Sequence, residues 1–208
     1  MKKLILTFVS VAVFFAVSAS AQGLNAGFGL GGSYPKAPDS FGFDSKVFVD
    51  AEINKFFALG LESGFGWIKR SSGDDIDMGD AKVTLSESVN FYSIPALLRA
   101  TVYIPISEYD SPLKPYVSGG AGYSWTIYST SNSYFGKKNT TFHGFTWQAL
   151  LGIDYNLGSN ANNMSLFLEC GYRGTMLEKK YKGATYELDM SGVFVKAGLA
   201  FPIISSGY

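Results

Sequence analysis

The sequence predicts an all-β fold: an eight-stranded, antiparallel, up-and-down transmembrane β-barrel over residues 22–208, preceded by a cleaved signal peptide over 1–21. Three observations point there. Apolar and polar residues alternate through eight segments of about ten residues, the length that crosses a bilayer at a tilt. Charge is scarce, at 16% of 208 residues, where an ordinary soluble domain carries about 25%. The chain also opens on an export signal.

That signal has the usual three parts. Lys2 and Lys3 supply the positive start, residues 4–17 are apolar, and Ala19-Ser20-Ala21 reads as the cleavage site. The apolar run is too short for a spanning helix, which needs about 20 residues. No later stretch is long enough either, so membrane residence has to come from strands. The whole sequence balances 17 basic against 17 acidic residues; loss of Lys2 and Lys3 leaves a net charge of −2. Neither value suits nucleic acid, whose phosphates demand a basic face. One cysteine excludes an internal disulfide framework, one histidine excludes a histidine-rich metal site, and no cofactor motif is present.

The eight strands follow in order, each with one apolar and one polar or small face. Ala26, Phe28 and Leu30 oppose Gly27, Gly29 and Gly31. Val47, Val49, Ala51 and Ile53 oppose Phe48, Asp50 and Glu52. Phe57, Leu59, Leu61, Phe65 and Trp67 oppose Gly60, Glu62, Gly64 and Gly66. Ile94, Ala96, Leu98, Ala100 and Val102 oppose Ser93, Pro95, Leu97, Arg99 and Thr101. Val117, Ala121, Tyr123 and Trp125 oppose Ser118, Gly120, Gly122 and Ser124. Trp147, Ala149, Leu151, Ile153 and Tyr155 oppose Gln148, Leu150, Gly152 and Asp154. Leu166, Leu168, Cys170 and Tyr172 oppose Phe167, Glu169, Gly171 and Arg173. Val193, Val195, Ala197, Leu199 and Phe201 oppose Phe194, Lys196, Gly198 and Ala200. Short turns at 54–55, 106–113 and 158–163 alternate with long connections at 35–43, 71–86, 130–141 and 177–185. Short turns on one side and long loops on the other are the habit of transmembrane barrels, with both chain ends on the short-turn, periplasmic side.

A soluble barrel would also alternate, so the orientation of the faces has to be argued separately. The polar face is rich in glycine, as a crowded interior requires, and carries eight mid-strand charges: Asp50, Glu52, Glu62, Arg99, Asp154, Glu169, Arg173 and Lys196. That is too few for a wet exterior. Trp67, Trp125 and Trp147 share the apolar face toward the long-loop ends, while Phe57, Tyr155 and Phe201 mark the other ends. Two aromatic girdles around an aliphatic band are selected by lipid interfaces. The apolar face is therefore expected to meet lipid and the charges to line the lumen.

The run Asn90-Phe91-Tyr92-Ser93-Ile94-Pro95-Ala96-Leu97-Leu98-Arg99 resembles the fourth-strand signature Y-x-x-I-P-x-x-L-[KR] of the small outer-membrane β-barrels, the OmpA- and OmpX-like proteins. Residues 192–201 resemble that family's last strand with its terminal aromatic assembly signal, read at Phe201 or displaced to Tyr208. The resemblance implies a Gram-negative outer membrane and contact with the barrel-assembly machinery.

Pro95 lacks an N–H in a barrel without a free edge, which predicts a bulge or an opened bond. An eight-stranded lumen is filled by side chains, so no open pore is expected. Its charges need partners, and Arg99, Arg173 and Lys196 are available to the five lumen acids. A proton or ion path through them is the competing reading. No catalytic set emerges: a lipid-modifying enzyme would need His143 as base, with Ser129 on the neighbouring strand as the conceivable nucleophile. Asp74, Asp75, Asp77, Gly79 and Asp80 suggest a weak calcium loop, but EF-hand spacing fails and a solvated acidic loop is the simpler reading. Lys137, Lys138, Lys179, Lys180 and Lys182 could meet lipopolysaccharide phosphates or keep their loops wet. Cys170 reads as a small lipid-facing hydrophobe. The sequence thus predicts a monomeric structural or surface-contact barrel whose partners are outer-membrane lipid and lipopolysaccharide, with four loops outside; a lipid-modifying enzyme and a narrow channel are the alternatives.

Overall fold

The computed structural model describes residues 23–36, 38–77, 82–106, 111–132, 136–158, 163–181 and 184–205, with the side chains of 71–88, 131–138, 180–185 and 205 left aside. The predicted signal peptide lies outside the described residues. The strands are β1 (Gly23–Pro35), β2 (Gly42–Asn54), β3 (Phe57–Asp77), β4 (Lys82–Tyr103), β5 (Leu113–Asn132), β6 (Gly136–Asn156), β7 (Ser165–Tyr181), β8 (Ala184–Asp189) and β9 (Gly192–Ser205). Each pairs antiparallel with the next from β1 to β7; β7 then pairs with β9, and β9 with β1, closing the ring.

Eight staves therefore surround the lumen, as the alternation predicts, and the ninth strand is a piece of the last stave. β8 pairs with the outer end of β7, and the stave resumes as β9 after a break at Met190 and Ser191. Side chains repair the ladder there: Asp189 Oδ1 accepts from the Ser191 N–H at 2.9 Å, and Ser191 Oγ accepts from the Thr175 N–H at 3.0 Å. Met190 N donates to Thr175 O at 2.9 Å, and the Met190 side chain turns inward and is buried.

The strands are longer than the expected ten residues, with β3 to β6 spanning 20 to 22. Three of the four expected loops are largely ladder, continuing to Asp77↔Lys82, Asn132↔Gly136 and Tyr181↔Ala184. A registered hairpin keeps pairing because every unpaired backbone group needs a partner. Polar sequence does not prevent this. Only the first long connection, between Pro35 and Gly42, remains a loop among the described residues. The carboxylates of the acidic run 74–80 lie outside the described side chains, as do those lysines of 137–138, 180 and 182.

Pro95 produces no bulge. The β3–β4 register is continuous, but the pairs expected at Gly64–Pro95 and Phe65–Ile94 are missing from the ladder. The Ser63 hydroxyl donates to the Pro95 carbonyl at 2.9 Å, so the opened acceptor is satisfied from within the wall. A real irregularity occurs instead between Leu24 and Asn25 against β9, beside Pro202. β9 carries on past Phe201 to Ser205, while Tyr208 lies outside the described residues.

The faces are inside-out relative to a soluble protein. Outward positions such as Leu98, Leu151, Leu168 and Val195 are exposed, whereas inward Lys46, Glu62, Arg99, Glu169 and Lys196 are buried. Trp67, Trp125 and Trp147 point outward, 43–44% exposed. Toward the long-hairpin ends the pattern inverts. There Ile68, Phe91, Leu177 and Met190 form a buried inward cluster, packed by Val89, Tyr128, Phe142 and Leu188, while Lys69, Glu178 and Glu187 face out. The switch of phase marks where the outside changes from hydrocarbon to water.

Candidate functional site

Among the described residues, the lumen is where titratable groups are gathered out of solvent. β2 delivers Asp44, Lys46, Phe48 and Asp50 to it at every second position, as strand geometry dictates. β3 adds Glu62, β4 Arg99 and Thr101, β5 Tyr116, β6 Gln148, β7 Phe167, Glu169 and Arg173, and β9 Phe194 and Lys196.

Four cations meet four anions. The Lys46 ammonium donates to both oxygens of Glu169. Arg99 lies 3.4 Å from Asp50, 3.4 Å from Glu62 and 3.9 Å from Glu169, and also donates to Thr101 Oγ1. Arg173 reaches Asp44 at 3.2 Å and Glu62 at 3.9 Å. Lys196 Nζ sits 3.1 Å from Asp44. Neutral groups take up some of the remaining valences: the Tyr116 hydroxyl donates to Glu169 at 2.8 Å, and Gln148 Nε2 donates to Glu62 at 2.9 Å, while Asp44 Oδ1 and Asp50 Oδ1 are buried without a hydrogen bond among the described residues. Charges this dry are tolerable only when so paired, because desolvation costs several kcal/mol per ion.

Aromatic rings close the gaps between the cations. Lys46 Nζ stands 4.6 Å from the Phe48 centroid and 4.5 Å from that of Phe167; Arg99 lies 4.6 Å from Phe48, and Lys196 4.6 Å from Phe194. Such cation–π contacts strengthen as water is removed. The rings fit because the facing strands carry glycine: a Cβ at Gly27 would enter the Phe48 ring, and one at Gly29 or Gly198 the Phe167 ring. Above the ions, a cavity of about 40 Å³ lined by Ser33, Asp44, Ser93, Arg173, Thr175 and Met190 has room for a few waters. The apolar cluster around Leu177 then caps the outer end.

Of the eight charges anticipated, Asp50, Glu62, Arg99, Glu169, Arg173 and Lys196 come together here. Glu52 and Asp154 do not; Glu52 accepts from Asn25 at 2.7 Å and Asp154 from Ser165 at 3.3 Å, each a neutral partner. Glu169 and Arg173 share a strand face but take different partners, since four residues of strand separate them by about 13 Å. Asp44 and Lys46 were missed. They have the inward parity of Phe48 and Asp50 and were hidden by starting that strand at Val47.

His143 is exposed on the outer wall, its Nδ1 2.7 Å from the Tyr123 hydroxyl, with Trp125 and Glu178 opposite it on the neighbouring strands. Ser129 is no nucleophile for it: the register sets Ser129 opposite Asn139, four residues along β6.

Residues 7–201 match the family described as outer membrane protein beta-barrel domain. The chain belongs to that family. This outer membrane β-barrel has the fold of known members at low sequence identity. It superposes on Neisserial surface protein A with a TM-score of 0.51 and 16% identity, covering 86% of this chain and 94% of that one. Against the outer membrane protein OprG from Pseudomonas aeruginosa the TM-score is 0.52 at 12% identity, with 89% and 98% covered. No curated protein sequence matches significantly. The barrel is thus an outer-membrane protein, and what it does there has to be read from its own residues.

Proposed function

We propose that this outer membrane β-barrel is a closed wall element whose work is done by its outer surface, as a structural and surface-contact protein rather than a pore or an enzyme. The observation that carries this reading is the filled lumen. Four ion-paired cations, three phenylalanine rings and an apolar cap succeed one another along its axis. Side chains packed and ion-paired in this way obstruct the axis to an ion or a substrate. Outside, the three long hairpins carry an apolar core of their own, so they present a shaped surface rather than slack loops. The signal peptide over 1–21 brings the chain to export; the assembly machinery, reading the aromatic end of β9, inserts it as a monomer among lipid and lipopolysaccharide.

Planar-bilayer recording tests the closed lumen. The purified barrel should give no steps above the lipid background at neutral pH; regular unitary steps would favour the channel reading. For the outer surface, cells carrying the full barrel should bind immobilised host or matrix material more than cells whose hairpins 70–89, 130–139 and 178–187 are cut to tight turns. Equal binding would remove the contact role.

A further inference from the structure

We propose that the free edge of β8 is a strand-addition site: an extended segment of a partner polypeptide pairs antiparallel with it, carrying a basic residue opposite Glu187 and apolar residues to either side of that one. The site rests on the contact role of the hairpins, and gives that role an element and a partner chemistry.

Among the described residues β8 pairs with β7 alone. The break that follows it tells its two sides apart. Met190 N donates to the Thr175 carbonyl of β7 at 2.9 Å, whereas the Ser191 carbonyl faces the other way and accepts from Lys36 N at 2.8 Å. Met176↔Asp189 and Arg173↔Gly192 belong to one uninterrupted register, so no residue is gained or lost at the break. Alternation along the strand then turns the backbone N–H and C=O groups of Thr185, Glu187 and Asp189 away from β7. In a closed ring β1 would meet them, but β1 stops at Pro35 and β2 starts only at Gly42. Above the loop that joins these two, β8 faces the outer part of β3 across the place of two strands, a slot of about 14 Å at ordinary strand spacing. A row of backbone groups open in this way is a template for another strand. The outer part of β3 offers less, because the Lys69 carbonyl already accepts from Ser40 Oγ at 3.4 Å and Arg70 Nη1 donates to the Pro38 carbonyl at 2.9 Å.

Side chains set what the added strand has to carry. Across the ladder one row runs Trp125, His143, Glu178, Glu187, with one residue from each of β5, β6, β7 and β8. Glu178 and Glu187 are exposed and directly opposite each other, and like charges so placed destabilise a strand pair. No ion pair reaches either of them among the described residues. Asp189 is already taken: it accepts from the Ser191 N–H at 2.9 Å and lies 3.7 Å from Lys36 Nζ. Lys180 is two places along β7, opposite Thr185, and Lys69 and Arg70 stand on β3, beyond the loop. Charge therefore selects at one position, the next place in that row, where a lysine or arginine of the partner would lie beside Glu187. On the other face Leu188 packs on the cluster of Leu177 and Met190, and Tyr186 is 54% exposed. Apolar partner residues on that side would extend the cluster and cover the ring.

The probe is a short fluorescent peptide of alternating valine and lysine, titrated with the full barrel refolded in uncharged detergent. Its anisotropy should saturate, with a half-saturation at least tenfold lower than for two controls. One is the same peptide N-methylated at its lysines, which keeps every charge and blocks pairing; the other carries glutamate in place of lysine. Glu187→Pro removes an N–H from the open edge and none from the bonds to β7, and should raise the half-saturation about tenfold; Glu187→Gln should raise it several-fold. Should Glu187→Pro lose its heat-dependent gel mobility, the N-methylated peptide on the wild-type barrel decides alone. Equal binding of the N-methylated peptide overturns the proposal, as does the absence of saturable binding or the indifference of a folded Glu187→Pro barrel. Failure here is separable from failure of the contact role. Matrix binding lost on trimming the hairpins, with no peptide binding, removes the edge alone; tight peptide binding, with matrix binding unchanged by trimming, keeps the edge and removes the contact role.

Discussion

Arg99 is the residue on which the lumen turns, because three carboxylates lie within 4 Å of it. Arg99→Met leaves Asp50 and Glu62 without their nearest cation inside a dry barrel. Breaking a buried pair from one side costs about 3–5 kcal/mol, so the urea midpoint in lipid vesicles should fall and the unheated folded band should weaken. An unchanged midpoint would mean that water reaches the site and no tight network exists. A milder effect is expected one strand away. Ser63→Ala removes the hydroxyl that satisfies the Pro95 carbonyl, costing about 0.5–1.5 kcal/mol in the same unfolding measurement. The alternation discloses which of these residues face inward, Asp44 and Lys46 included, once the strand is begun early enough. Partner choice is another matter: Glu169 pairs with a lysine 123 positions away in sequence, a contact fixed by the closure of the ring.

At the level of elements, the hairpins divide into two solvent regimes. Below Trp67 and Trp125 apolar side chains point outward; above, Ile68, Phe91 and Leu177 point inward. Leu177 is fully buried in that cap, so Leu177→Ala should cost about 2–5 kcal/mol of local packing. Added protease should then cut the outer hairpins of whole cells faster than in wild type, while the membrane-embedded part still migrates as a folded barrel. Loss of the folded band altogether would show that cap and membrane barrel are one cooperative unit. The reversal of phase is present in the sequence as Trp67-Ile68-Lys69 and as Leu177-Glu178. It is readable only when the strand is known to continue, and polar composition argues for a loop instead. The hairpin ladders form because pairing in register satisfies backbone groups whatever the side chains are.

For the whole molecule, closure is the property with the most consequences. The protein should fractionate with the outer membrane and run at a different mobility before and after boiling; recovery in the soluble fraction would be incompatible with the outward apolar wall. Conductance above background for wild type or for Arg99→Met would show that the side-chain filling leaves a path. Class, the eight staves, the inward and outward faces and the scarcity of charge are legible in the order of the residues, because period-two patterning and the demands of lipid are local properties of each segment. Tertiary structure decided the rest: the extension of hairpins beyond the membrane, the split of the last stave at Met190, the admission of Asp44 and Lys46, and the omission of Glu52 and Asp154 from the ion-paired layer. Those outcomes depend on register and ring closure, which bring distant strands to one height in the lumen. Sixteen per cent charge is what remains when lipid covers the outside and four cations and four anions pair across the barrel, with Glu52 and Asp154 held by neutral partners.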